Sequence, residues 1–125
     1  MENFDGKIAV ITGGGTGMGR ELTYQLAAEG CHVSICDVIE ENMEETFQEA
    51  VKKYPHVKIT KHLCDVSSEE DVLRFRDEVL EQQKTEHINL LFNNAGIGGG
   101  ASFVLSGIEE WERTFKICWD GVYLC

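Results

Sequence analysis

A single proline, Pro55, interrupts the 125 residues, and no stretch is rich in serine or low in complexity. The chain therefore contains no linker and reads as one domain. Basic residues are scarce: 11 Lys and Arg face 22 Asp and Glu, a net charge of -11. Nucleic acids and anionic membranes are gripped by clustered Lys and Arg, so neither is expected as a partner. Long apolar runs are missing too. After the acidic opening MENFDG the first such run covers only Ile8 to Ile11, too short for the core of a secretion signal or for a membrane span. The five cysteines (Cys31, Cys36, Cys64, Cys118, Cys125) form no CxxC pair. Their odd number predicts reduced thiols and a cytoplasmic protein rather than a disulfide frame. His32, His56, His62 and His87 match neither HxxxH nor HxxEH, so no metal site is assigned.

What is present is an alternation of two periods. KIAVIT (7–12), HVSICD (32–37), KITKHLCD (58–65) and INLLFNN (88–94) are short, apolar and β-branched, as strands are. Between them, apolar residues recur at helical steps: Met18, Leu22 and Leu26, ending at Gly30; Met43, Phe47, Ala50 and Val51, ending before Pro55; then Val72, Phe75 and Val79. The third helix is expected to start at Ser67 with Glu70 completing a capping box, and the fourth at Ser106 with Glu109 in the same arrangement. That last helix runs on through Trp111, Phe115, Cys118, Val122 and Tyr123. The order βαβαβαβα predicts an α/β chain with a doubly wound, Rossmann-like parallel sheet of four βα units. The apolar first and fourth strands suit positions buried on both faces. Helical spacing persists to Cys125, so the fold is expected to be incomplete at its C-terminus, with Cys125 a cut or a premature stop.

TGGGTGMGR (12–20) lies where the first strand becomes the first helix. In this architecture ligands bind beyond the carboxyl ends of the strands. A pyrophosphate can approach a backbone that lacks Cβ atoms and rest on the N–H groups of the helix behind it. Its five glycines exceed what a plain turn requires. The spacing is not GxGxxG, since position 20 is Arg20, and no Gly-Lys-Ser/Thr follows for a P-loop. It is Thr12-Gly13-x-x-x-Gly17-x-Gly19. At the end of the second strand Asp37 is placed to accept from ribose hydroxyls and to repel a 2′-phosphate.

Together these features resemble the short-chain dehydrogenases/reductases. TGxxxGxG appears as Thr12 to Gly19, an acidic residue ends the second strand at Asp37, Asp65-Val66 ends the third, and Asn93-Asn94-Ala95-Gly96 ends the fourth. The resemblance spans the chain and implies roles. Gly13, Gly17 and Gly19 seat the pyrophosphate, with Thr16 and Met18 lining it. Asp65 meets the adenine amino group, with Val66 beside the ring. Asn93, Ala95 and Gly96 lie along the adenosine and ribose, Asn93 doubling as scaffold. The family's usual NADP-favouring positions, just before the second motif glycine and just after the acidic residue, hold Thr16 and Val38, so NAD is expected over NADP. The topology implied is 3-2-1-4, which makes the fourth strand an edge carrying Leu90, Leu91 and Phe92. The last helix is expected to mediate homo-oligomerisation through Phe115, Trp119 and Val122.

Catalysis in this family rests on a Ser, a Tyr-x-x-x-Lys pair and an Asn, and acts on alcohols and ketones. The Ser and the Tyr-x-x-x-Lys helix fall beyond the stretch seen here, and Cys118 stands where the Asn belongs, where it reads as a packed cysteine at a helix seam. Tyr54-Pro55-His56-Val57-Lys58 is a chance match, because proline disfavours helix at Tyr54. The stretch GIGGGASFVLSG (96–107) suggests a small apolar substrate rim. The expectation is thus a hydride-transferring oxidoreductase of which this chain, inert alone, supplies the dinucleotide-binding half. The alternatives are a non-catalytic NAD-binding short form that pairs with a longer relative, and a methyltransferase of similar fold, which leaves the Asp65-Val66 and Asn-Asn-Ala-Gly placements unexplained.

Overall fold

A computed structural model describes residues 3–99, 102 and 104–125. The elements are β1 (Ile8–Thr12), α1 (Gly17–Ala28), β2 (His32–Asp37), α2 (Glu40–Lys53), β3 (Ile59–Leu63), α3 (Glu69–Gln83), β4 (Leu90–Phe92) and α4 (Ile108–Phe115). A π-helical stretch, Lys116–Asp120, then leads into a short α5, Gly121–Leu124. All strand pairs are parallel and the order is β3-β2-β1-β4, as expected for a doubly wound sheet.

Alternation along the strands divides the core in two. Ala9, Ile11, Val33 and Ile35 face α1 and α2, where they meet Leu26, Ala27, Met43 and Ala50. Val10 and Cys36 face the other way and join Cys64, Val66, Val72, Phe75 and Val79. Ile11 and Ile35 are register partners with no exposed surface, so truncating either to Ala would cost about 2–5 kcal/mol. On the α3 side the strands also carry a buried polar ladder. Ser34 Oγ lies 2.6 Å from Thr60 Oγ1, Gln83 Nε2 donates to Ser34 Oγ at 2.9 Å, and His62 Nε2 sits 2.9 Å from Thr60 Oγ1.

Several boundaries and faces differ from the sequence reading. The α3 N-cap is Ser68 rather than Ser67, and its hydroxyl accepts from the Asp71 N–H. At the start of α4 the cap is Gly107, without a side-chain bond, so the Ser106–Glu109 box does not form. On α1 the buried stripe is Gly19, Thr23, Leu26 and Ala27, while Met18 stands largely in solvent. On α2 Thr46 is buried and Val51 exposed. Among the described residues β4 has three residues and one neighbour, β1, which makes it the edge strand that the 3-2-1-4 order implied; Leu91 is exposed, so the expectation that its apolar run is buried on both faces does not hold.

Candidate functional site

The carboxyl ends of all four strands open onto one cleft of about 410 Å³. The β1–α1 turn contributes Gly13, Thr16, Gly17 and Met18; the chain after β2 contributes Asp37, Val38 and Ile39, with Asn42 from α2; the chain after β3 contributes Cys64, Asp65 and Val66. Asn94 to Ile97 follow from β4, and Arg113 of α4 and Ile117 of the π-helical stretch reach in.

The turn takes its shape from its glycines. Gly13 and Gly17 adopt φ of +66° and +55°, a region that side chains disfavour. Gly19 serves differently: a Cβ there would stand 2.1 Å from the Gly13 carbonyl oxygen, so its bareness lets α1 pack against the turn. The N-terminus of α1 is also electrostatically distinct. α2, α3 and α4 each place two or three carboxylates in their first turn, whereas α1 has none. Its positive dipole end and free N–H groups are left for an outside anion.

Asp37 sits at the cleft with its carboxylate fixed by three backbone donors. Oδ2 accepts from Gly15 N–H at 3.0 Å, and Oδ1 from Val38 and Ile39 N–H at 2.8 and 3.1 Å. Asp65 is held by its own turn: Oδ1 accepts from the Ser67 N–H and hydroxyl at 2.9 and 2.6 Å, and its N–H donates to Asp71 Oδ2 at 3.0 Å. Beneath them the Cys36 and Cys64 thiols interact: the Cys64 thiol and then burial push Cys36 up, and the Cys36 thiol draws Cys64 down from its ordinary value.

Two motif residues lie elsewhere. Gly19 is a packing residue under the turn. Asn93 is exposed and does not line the cleft; it borders an adjoining hollow with Met18, Glu21, Leu22 and Asn94. Successive strand residues face opposite sides, and it is Asn94 that turns inward. Its Nδ2 donates to the carbonyls of Thr12 and Gly13 at 3.0 and 3.1 Å. The Thr12 hydroxyl in turn accepts from the N–H groups of Asn94 and Ala95 at 3.1 and 3.0 Å. Parity along Asn93-Asn94 carried the signal that separates the two. Arg113 and Ile117 were also missed; their i,i+4 spacing marks one helix face, distinct from that of Trp111, Phe115 and Trp119.

Tyr54 and Lys58 do not share a helix. Tyr54 caps the end of α2, and the Lys58 ammonium donates to the Gln82 carbonyl near the end of α3. Tyr24 is pushed up to about 12 by burial and by Glu49, the opposite of what a tyrosine base needs. Cys118 is not a core cysteine. It is exposed within the π-helical stretch, its Sγ 3.6 Å from the Ile97 carbonyl oxygen. Of the rim at 96–107, positions 100, 101 and 103 lie outside the described residues.

A parallel 3-2-1-4 sheet with a glycine turn, an acidic residue after β2 and a second after β3 defines a dinucleotide-binding class of site. The sequence matches the short chain dehydrogenase family over residues 7–125. It is 33% identical over 122 residues to meso-2,3-butanediol dehydrogenase of Serratia marcescens, covering 98% of this chain and 46% of that one. It is 34% identical over 116 residues to human epidermal retinol dehydrogenase 2, covering 93% of this chain and 37% of that protein. A short chain dehydrogenase/reductase from Burkholderia phymatum, solved in complex with NAD, superposes with a TM-score of 0.90 at 33% identity, over 99% of this chain and 43% of its own. The chain belongs to the short-chain dehydrogenase/reductase family, oxidoreductases built on a nicotinamide-dinucleotide-binding fold. It spans less than half the length of each of these relatives. Among the described residues no helix is long and apolar enough to cross a membrane.

Proposed function

We propose that residues 1–125 form the dinucleotide-binding domain of an NAD-dependent oxidoreductase acting on an alcohol or carbonyl substrate. The observation that carries this reading is the Asp37 carboxylate, held at the cleft by three N–H donors across from a helix N-terminus that lacks its own carboxylate. Pyrophosphate on the N–H groups of Gly17 and Met18 and a ribose diol on Asp37 is the arrangement those charges favour. A 2′-phosphate would meet Asp37 at close range with no basic side chain at position 16 or 38 to offset it, which supports NAD over NADP. Asp65 and Val66 suit the adenine end, and Ala95, Gly96 and Asn94 the ribose side.

Bound NAD supplies the hydride acceptor. The chain's own residues bind and orient it. The exposed apolar ladder of the last helix supports self-association: the Trp111 and Phe115 rings stack at 5.2 Å, and those of Phe115 and Trp119 at 5.7 Å. Five free thiols support a reducing, cytoplasmic setting.

Amide chemical-shift mapping with NAD tests the site. The largest shifts are expected at Gly13, Thr16, Gly17, Asp65 and Ala95. Shifts centred instead on the apolar pocket between α3 and β4, at Phe75, Val79 and Leu91, or none at all, would overturn the assignment.

A further inference from the structure

Gly15 is held from both sides, and only one of them belongs to the cleft. Its N–H donates to Asp37 Oδ2 at 3.0 Å. Its carbonyl accepts from Arg20 Nη2 at 2.8 Å, from Arg20 Nε at 3.1 Å and from the Thr46 hydroxyl at 2.8 Å. Arg20 comes from α1 and Thr46 from α2, and the two are joined by an Arg20 Nε to Thr46 Oγ1 bond of 2.9 Å. The guanidinium charge is met by Glu45 at 2.8 Å. Thr46 is fully buried, and a Cβ on Gly15 would lie 2.7 Å from Asp37 Oδ2. The turn, the carboxylate and the two helices thus lock as a unit around a residue with no side chain.

We infer that Arg20 and Thr46 are positioning residues which, through Gly15, set the Asp37 carboxylate for a ribose diol and so fix the preference for NAD over NADP. This rests on the dinucleotide reading above. Arg20 suits the task because its planar fork brings two donors to one carbonyl, which a lysine ammonium does not reproduce. With its charge already paired to Glu45, it is not available to a 2′-phosphate. Without the clamp, the Gly15 N–H loses its fixed direction, and Asp37 keeps only Val38 and Ile39 as partners, both attached to its own chain segment. A carboxylate free to rotate accepts less well from a diol and repels a 2′-phosphate less, so the two nucleotides respond differently.

Calorimetric titration of NAD and of NADP into the native chain, Arg20→Ala, Arg20→Lys and Thr46→Val, each with its melting temperature, tests this. Arg20→Ala is expected to weaken NAD about tenfold while NADP changes by less than about twofold, so the preference narrows. Arg20→Lys falls between native and Ala, and Thr46→Val, which keeps shape and removes the hydroxyl, moves the same way by less. Equal weakening of both nucleotides would reduce the clamp to general scaffolding and overturn the inference, as would selective loss of NADP, which would make Arg20 a phosphate ligand. If Arg20→Ala does not fold, the ratio measured for Thr46→Val decides. A native chain that binds neither nucleotide defeats the dinucleotide reading itself; a native chain that prefers NAD with a ratio untouched by Thr46→Val and Arg20→Lys defeats only the clamp.

Discussion

Asn94 donates twice to Thr12 across the ends of β4 and β1: its side-chain amide to the Thr12 carbonyl at 3.0 Å, and its backbone N–H to the Thr12 hydroxyl at 3.1 Å. This pair joins the glycine turn to the loop that forms the opposite cleft wall. Thr12→Val keeps the shape and leaves the Ala95 N–H without its acceptor, while the Asn94 N–H keeps the Phe92 carbonyl at 2.9 Å, so a loss of about 1–3 kcal/mol is expected for the one group left unpaired. Urea unfolding of Thr12→Val and Asn94→Ala measures it. An unchanged midpoint for both would mean the pair is not structural.

Gly19→Ala places a methyl group 2.1 Å from the Gly13 carbonyl oxygen and 2.7 Å from Asn94 Nδ2. The main obstacle is backbone, so α1 must shift. A destabilisation of about 2–3 kcal/mol is expected, together with loss of nucleotide binding. Gly98→Ala, where a Cβ meets nothing within 4 Å, is the matched control and should leave the melting temperature unchanged.

His62 is buried, between Thr60 and Glu78. Burial holds it below its ordinary value, against the opposing pull of the Glu78 carboxylate. The unfolded chain takes up that proton near pH 6.5 and the folded chain only at lower pH. The associated stability is therefore full above about pH 6.5 and is lost as pH falls below it. Urea midpoints from pH 7.5 to 5 should drop, and drop less in His62→Asn. A midpoint that rises on acidification would mean the Glu78 pair outweighs burial.

Thiol reactivity should single out one residue. Cys118 is exposed, whereas burial pushes Cys31 and Cys125 up to about 11, Cys36 has no exposed surface, and Cys64, although drawn down by Cys36, is only 2% exposed. A thiol reagent at neutral pH should show one fast equivalent that disappears in Cys118→Ser. A fast phase surviving that substitution would contradict the assignment.

The sheet order, the helices and most of the cleft were legible because each rests on a local signal. Apolar runs of β-branched residues mark strands, and turn chemistry at strand ends marks a ligand site. Ser67 failed as a cap because adjacent Ser68 offers an equal start, and sequence alone does not rank neighbours; at Ser106 the cap falls one residue later, at Gly107, although serine is the stronger cap. Met18 fits the helical stripe of α1 yet stands in solvent at the cleft mouth, since the helix rotates to bury Thr23 and Gly19 instead. The Arg20–Gly15–Thr46 clamp had no signal at all. It joins residues 5 and 31 positions from Gly15 through a carbonyl that every residue possesses.

A crystal structure of the chain grown with NAD tests the central claim most directly. The account predicts the pyrophosphate against the N-terminus of α1 and the adenosine ribose hydroxyls on Asp37. Nucleotide density at any other site, or an empty cleft at saturating NAD, would contradict it.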